Sequence, residues 1–530
     1  MIALACASGT VALLAATAPG QGIGRDEGVY LAAAESYASF WSEAARSPAR
    51  ALADADRRFA VNHEHPALAK EIYGASHALL AGALHWTSHL QGFRAGAFLM
   101  AGALSWLLAV AGFELAGTAG ALLAPALFWA VPRHFYHGHP AALDMPITAL
   151  WLATVLAYRR SLRGAAAWGV VTGIVFGAAI SVKHNGWFLP PLLALHWLVT
   201  RSGSLRSAPW SERLRSVPLA FPAMLLLGPL VFVATWPWLW HDTAARFREY
   251  LTFHLHHENY SWQYLGTVLH DPPFPVAYPF VVTALTVPAA VLFTMAAGLV
   301  HSAARLRANA SDELLLLLNA LFPMALIAWP TVPHFGGVKH WMPAMPFLAL
   351  LGARALVAAC RTLWPARANV LTAGVATIVL LPAAVAVAHV HPFGTAAYNE
   401  LAGGAPGAAT LGMQRQFWGD DAVGILPELN RHAIPGARVW WQETAFPSVR
   451  AWQRDGRVRA DLRWANGAED ADISLWQYHQ EFRDKERRTW TAFADPPRPG
   501  EPLRPPRPVA GVYLDEVPLV VVYARRGAWR

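Results

Sequence analysis

The segment Gly24-Arg25-Asp26-Glu27-Gly28-Val29-Tyr30, read together with Asn62-His63-Glu64-His65-Pro66-Ala67-Leu68-Ala69-Lys70 and on to Gly74, decides the fold. It sets two carboxylates directly behind an apolar run at residues 1–19, with histidines and a lysine further along the same loop. Acids are costly at membrane depth, so acids at the edge of a span are functional candidates by default. Most of the remaining chain is hydrophobic and reads as a scaffold that holds this loop at a membrane surface.

The composition supports a membrane scaffold. Of 530 residues, 55% are hydrophobic and 14% charged, with mean hydropathy +0.30. A soluble domain carries about 25% charged residues. The 24 Trp suit the bilayer interface. The two cysteines, Cys6 and Cys360, both lie in apolar runs, which argues against a disulfide framework and a cysteine metal site. The net charge of +8 comes from Arg scattered over short loops and a mixed-charge tail, not the footprint of a nucleic-acid binder.

Further apolar runs occupy 92–112, 115–132, 144–158, 165–182, 185–200, 217–239, 278–300, 313–332, 341–357 and 369–389. With the first run they predict about eleven spans, since about 20 helical residues cross the hydrocarbon core. The first run also has the alternative of a cleaved signal peptide, against which stands the lack of a preceding positive residue. Alternate short loops are basic: Arg159, Arg160, Arg163; Arg201, Arg206, Arg213, Arg215; Arg305, Arg307; Arg354, Arg361, Arg367. The short loops on the other side hold Arg133, Lys183 and Lys339. By the positive-inside rule the N-terminus is cytoplasmic and the C-terminus external. Residues 20–91 and 240–277 are then external loops, and TAARFREYLTFHLHHENY (243–260) predicts an amphipathic helix lying on the outer surface.

From His391 the composition changes. Residues 391–530 hold half of the 34 acids and no spanning run. The expectation is two units: a transmembrane domain over 1–390 and a small α/β extracytoplasmic domain over 391–530. GVYLDEVPLVVVYAR (511–525) predicts two strands around a short turn. PPRPGEPLRPPRP (496–508) predicts an extended connector.

Asp26, Glu27 and Asp144 (in HGHPAALDMP) are the candidate catalytic acids. Of 42 basic residues only Lys70, Lys183, Lys339 and Lys485 are lysine, and three of these stand beside histidines in predicted external segments: HPALAK, VKHNGW and GGVKHW. Lysine is a compact donor to phosphate. His65, Lys70, Lys183, His184, Lys339 and His340 are therefore the candidate phosphate-binding residues. No cofactor is required by this set. A divalent metal ion would suit the clustered His and carboxylates, but no spacing matches a closed zinc site.

An Asp-Glu pair after the first span, followed in the same loop by His65-Pro66-Ala67-Leu68-Ala69-Lys70, resembles the protein O-mannosyltransferases of glycosyltransferase family 39, which have the GT-C fold. The family pattern is close to HPPLAK, with Ala67 here replacing the second Pro. Leu143-Asp144-Met145-Pro146 resembles the second-loop acidic motif of bacterial relatives, including the aminoarabinose transferases. WPWLWHD, FHLHHENY, GGVKHWMPAMPFLAL and HPFGTAAYNELAGG resemble an uncharacterised bacterial branch of the group, and the tail after about residue 420 matches nothing. The resemblance implies an integral-membrane glycosyltransferase of the plasma (inner) membrane. Its donor would be a polyprenyl-phosphate-linked sugar and its transfer inverting, on the external face.

The residues meet that expectation independently. Glycosyl transfer to a hydroxyl needs a base, for which Asp26 is the candidate. It also needs cations at the departing phosphate. The acceptor stays open between protein, glycolipid and glycan, and so does the sugar, mannosyl or another hexosyl. A transporter or flippase of a lipid-linked sugar is the alternative. It would place its charges near the bilayer midplane, whereas these gather at one face beside large loops. A non-catalytic receptor would need neither Asp26 nor the lysines.

Overall fold

The computed structural model describes residues 1–164, 166–207, 209–333, 335–478, 483–495 and 503–530. The first seven residues of the expected connector, 496–502, lie outside the described residues.

The chain is a polytopic helical membrane protein with a small α/β domain at its C-terminal end. The apolar runs become α1 (Ile2–Thr17), α5 (His89–Trp129), α7 (Asp144–Ser161), α8 (Ala166–Ile180), α9 (Leu189–Ser207), α11 (Ala220–Ala234), α13 (Tyr278–Thr286), α14 (Ala289–Arg305), α15 (Ala310–Ile327), α16 (Met345–Leu363) and α17 (Ala368–Val390). Among the described residues, five helical stretches are long and apolar enough to cross a membrane, and three shorter apolar helices accompany them. Three runs depart from one-run-one-helix. α5 covers two runs, broken at Ala116 and Gly117, where Gly117 takes φ +69°. The chain doubles back there, since a Cβ on Gly112 would lie 2.2 Å from the Gly120 carbonyl oxygen. The run 278–300 divides at Val287-Pro288, because proline cannot continue the helical hydrogen bonds.

Small residues let the helices approach. A Cβ on Gly173 of α8 would lie 2.5 Å from the Ala223 oxygen of α11, and one on Gly298 of α14 would lie 2.4 Å from the Leu351 carbonyl carbon of α16. Polar side chains add cross-links, with Trp151 Nε1 donating to Asn319 Oδ1 at 2.8 Å and Trp341 Nε1 to Thr283 Oγ1 at 2.9 Å.

One end of the bundle is laced by ion pairs of the basic loops. Arg159 meets Glu114 and Asp312, Arg160 meets Glu114, Arg163 meets Asp312, and Arg305 and Arg354 share Glu313. Asp144 opens α7 and Arg159 closes it. At 1.5 Å per residue the candidate acids and this basic cluster stand about 22 Å apart along that helix.

The loop 20–91 is mostly helical: α2 (Arg25–Ala44), α3 (Pro48–Phe59) and α4 (Leu68–His77), then a π-helical turn at Ala78–Ala83. Short helices α6 (Pro132–His137), α10 (Trp210–Arg215) and α12 (Thr243–Leu255) lie in other loops, and α12 falls within the predicted amphipathic stretch. Strands β1 (Trp262–Tyr264) and β2 (Thr267–Leu269) form an antiparallel hairpin.

After α18 (Gly404–Thr410), the C-terminal part forms a five-stranded sheet in the order β4-β3-β5-β7-β6. The strands are β3 (Arg438–Trp440), β4 (Arg463–Trp464), β5 (Ile473–Gln477), β6 (Ala510–Leu514) and β7 (Val517–Ala524). β3 runs parallel to β4 and β5, and β7 antiparallel to β5 and β6. The β6–β7 hairpin is the one expected, turning through Asp515 and Glu516, both at positive φ. Helices α19 (Leu426–His432), α20 (Phe446–Arg454) and α21 (Arg483–Phe493) complete this part. It docks on α2: Arg25 pairs with Glu443, Arg454 with Glu35 at 3.1 Å, and Ser448 packs against Gly28. The Asp455 carboxylate accepts from the His89 and Leu90 amides at 2.9 and 3.1 Å, capping α5.

Candidate active site

Adjacent residues at the start of a helix point about 100° apart, and Asp26 and Glu27 use that divergence. Both sit in the first turn of α2, where the helix dipole favours negative charge. Glu27 turns inward and is 1% exposed. Its two oxygens accept from Arg94 Nε and Nη2, both at 2.8 Å, and the Ala141 amide adds a third bond at 2.9 Å. Arg94 also donates to the carbonyls of Gln21 and Gly22. The sequence placed Glu27 among the catalytic acids, and the geometry gives it the place of an anchor that fixes α2 on α5.

Asp26 turns the other way and keeps 38% of its side chain exposed. Its Oδ2 accepts from Lys339 Nζ at 2.8 Å. That ammonium lies 3.4 Å from the centroid of the Trp418 ring, a cation–π contact. The Trp418 carbonyl accepts from the Arg25 amide at 2.9 Å, so the C-terminal part touches the residue next to Asp26. Asp144 forms a second pair, its Oδ1 accepting from Lys183 Nζ at 2.7 Å. The two pairs adjoin: Tyr30 lies within electrostatic reach of Asp26 and Asp144, and Asp144 within reach of both Lys183 and Lys339. His137 sits among Asp144, Lys339 and Arg133, and burial pushes its imidazole down to about 3.

Beside Lys183 lies a group of rings. The His184 and His254 centroids are 4.2 Å apart, and His65 and His254 are 5.7 Å apart. Burial lowers all three, His254 to about 4, so they are neutral at pH 7. His65 Nδ1, His184 Nδ1 and His254 Nε2 are buried without a hydrogen-bond partner.

Lys70 is placed differently from the other two lysines. Its Nζ donates to Asn62 O (2.7 Å), Asn62 Oδ1 (3.0 Å) and His65 O (2.8 Å), beneath the Tyr37 ring. Burial lowers it to about 7. Its amine ties down the turn that presents His65, whereas Lys183 and Lys339, the other two candidate lysines, each meet a carboxylate. His340 lies one residue past Lys339 and accepts from the Gly336 amide at 3.0 Å.

Asp26 and Asp144 each already meet an ammonium, and among the described residues no three His, Cys, Asp or Glu side chains are grouped to hold a metal.

Sequence reasoning missed Arg94, His137, His254, Arg133 and Trp418. Arg94 and Arg133 carry the chain's default cation type, and Trp418 lies just outside the segments that resemble the family. His137 and His254 lie inside quoted segments, HGHPAALDMP and FHLHHENY, but nothing local separates them from the other histidines there.

Fold and site together define a polytopic membrane protein with a GT-C-like fold, its charged groups at one mouth of the bundle. No family model matches the sequence, and no curated protein matches it significantly. Among solved structures, ArnT from Cupriavidus metallidurans bound to undecaprenyl phosphate is similar to this chain. The TM-score is 0.50 at 15% identity, over 97% of this chain and 97% of that one. The Archaeoglobus fulgidus oligosaccharyltransferase in the apo form aligns at TM-score 0.48 and 12% identity, over 72% of this chain and 55% of that one. At these identities the likeness is one of fold.

Proposed function

We propose that this protein is an integral-membrane glycosyltransferase that moves a sugar from a polyprenyl-phosphate donor to an acceptor hydroxyl on the external face. The observation that carries the reading is the Asp26–Lys339 pair: an accessible carboxylate held by an ammonium at the mouth of a lipid-embedded bundle, beside a second acid–lysine pair. The same fold is adopted by an ArnT solved with undecaprenyl phosphate, which supports a lipid-phosphate ligand here.

In the reaction the acceptor oxygen attacks the anomeric carbon of the sugar. Asp26 takes the hydroxyl proton. The bond from the anomeric carbon to the phosphate oxygen breaks, and its electron pair leaves on the phosphate. One displacement inverts the anomeric configuration. Lys183 and the neutral imidazoles of His65, His184 and His254 offer donors to the leaving phosphate, which lowers the barrier as negative charge develops there. Asp144 holds Lys183, and Lys70 holds the turn that carries His65. In this reading the bundle lies in the plasma (inner) membrane with the part from 391 outside it, and the sugar is mannosyl or another hexosyl.

The test is single-turnover transfer from a synthetic polyprenyl-phosphate sugar to membrane acceptors, using the full chain in nanodiscs. Asp26→Asn should slow transfer by about 10²–10⁴-fold, the usual contribution of a general base, while the protein stays folded. Wild-type turnover in that variant would remove Asp26 from the role of base.

A further inference from the structure

Among the described residues, each buried lysine and arginine but one has a counter-charge or a full set of acceptors. Arg94, Arg159, Lys183, Lys339 and Arg354 each meet a carboxylate, and Lys70 is ringed by three oxygens. Arg133 is the exception. It is 2% exposed, and its Nε donates to the Ala397 carbonyl at 3.2 Å. Its Nη2 is buried without a partner, and no described carboxylate pairs with it. The guanidinium lies between two rings, 4.8 Å from the centroid of Tyr398 and 5.1 Å from that of Phe417. Aromatic faces return part of the cost of burying a cation. They do not replace an anion, and an unpaired buried charge is among the costliest features a fold can keep.

Its surroundings join it to the site. Phe417 precedes Trp418, whose ring carries the Lys339 ammonium. Gly337 stands two residues before Lys339 at φ +61°, and a Cβ there would lie 3.4 Å from Arg133 Nη1. Glycine at this position keeps a side chain from pressing on Phe417 and the guanidinium from the Lys339 side. His65, His184 and His254 gather around Lys183, the flank given above to the donor phosphate. Arg133 lies on the Lys339 flank, beside Phe417 and Gly337.

We propose that Arg133 is an acceptor-binding residue and that the acceptor carries an oxyanion, a phosphate or a carboxylate, close to the hydroxyl that is glycosylated. A guanidinium is suited to this, since its planar fork matches both anions and it stays charged when buried. Assigning the anion to the acceptor rests on the transfer reading above; the existence of an anion site at Arg133 does not.

The experiment measures binding of three probes that share one carbon skeleton, glycerol 1-phosphate, glycerate and glycerol, to the full chain in phosphatidylcholine nanodiscs. Polyprenyl-phosphate binding is measured in parallel. Wild type should bind at least one anionic probe and not glycerol, and the anion that binds names the class. Arg133→Gln should weaken that affinity by about 10- to 100-fold, the range of a hydrogen bond to a charged group. Arg133→Lys keeps the charge and loses the fork, and should fall between the two; it carries the test if Arg133→Gln does not fold. Polyprenyl-phosphate affinity should be unchanged in both variants. Nanodiscs doped with phosphatidic acid separate the sources: competition with the soluble probe assigns a lipid headgroup, no competition assigns a soluble or glycan anion, and both support the site. Failure of wild type to bind either anion, or unchanged anion affinity in the variants, overturns the proposal. An equal loss of polyprenyl-phosphate affinity also overturns it, by placing Arg133 in the donor site. A wild type that binds the probes but no polyprenyl phosphate would instead refute the transfer reading.

Discussion

Lys339 Nζ lies 2.8 Å from Asp26 Oδ2, across 313 positions of sequence. The contact joins the first helix of the loop 20–91 to the short 3₁₀ turn before α16. It also fixes what Lys339 can do. An ammonium that bonds the proposed base and rests on Trp418 acts through that base first. Residues that act as a unit give non-additive losses. Lys339→Met should slow transfer, and the double variant with Asp26→Asn should be no slower than Asp26→Asn alone. If the two losses multiply, Lys339 works independently of Asp26.

Glu27 should behave as an anchor. Glu27→Ala leaves Arg94 buried among carbonyls without its carboxylate, and breaking such a pair costs about 3–5 kcal/mol. The expected result is a marked fall in thermal stability in detergent, with turnover per folded molecule close to that of wild type. A stable but inactive Glu27→Ala protein would return Glu27 to the chemistry.

Asp420 and Asp421 stand where the C-terminal part meets the membrane part. Both are buried, and both Asp421 oxygens lack a partner. Burial pushes Asp420 up to about 7, and burial together with Asp420 raises Asp421. A carboxyl whose folded pKa lies above its unfolded value favours folding while protonated. Its contribution is complete below about pH 4, the unfolded range, and is lost as pH rises through the raised folded pKa, which is about 7 for Asp420. Asp421→Asn removes the charge and no hydrogen bond. It should raise the unfolding temperature at pH 8 and leave it nearly unchanged at pH 4. An equal effect at both values would exclude ionisation as the cause.

The neutral imidazoles give the opposite sign. His65, His184 and His254 are lowered by burial, so the stability they contribute is present above about pH 6.5, the unfolded value. It is lost as pH falls toward the lowered folded values, near 4 for His254. His254→Gln should therefore weaken the dependence of thermal stability on pH between 6.5 and 4. A wild-type slope in that variant would show that His254 is solvated.

The layout across the membrane is testable by reporter fusions. Those placed after Arg215 and after Gly403 should report opposite sides, because the basic loops and the candidate acids occupy opposite ends of α7. The same side for both would overturn the proposed orientation.

The sequence by itself determined the helical scaffold, because hydrophobic runs of spanning length admit few other structures. It also determined the β6–β7 hairpin, where alternation and a two-residue turn are local signals. Asp26, Asp144, Lys183 and Lys339 were legible because acids and lysines are rare beside spans in this chain. Tertiary structure alone decided which acid meets which lysine, and that Glu27 is held by the buried Arg94. It alone placed Trp418 over Lys339 and left Arg133 without a counter-charge. The physical reason is range: helical periodicity and hydropathy act within a few turns, whereas the pairing of buried charges is settled only when helices far apart in sequence pack and exclude water.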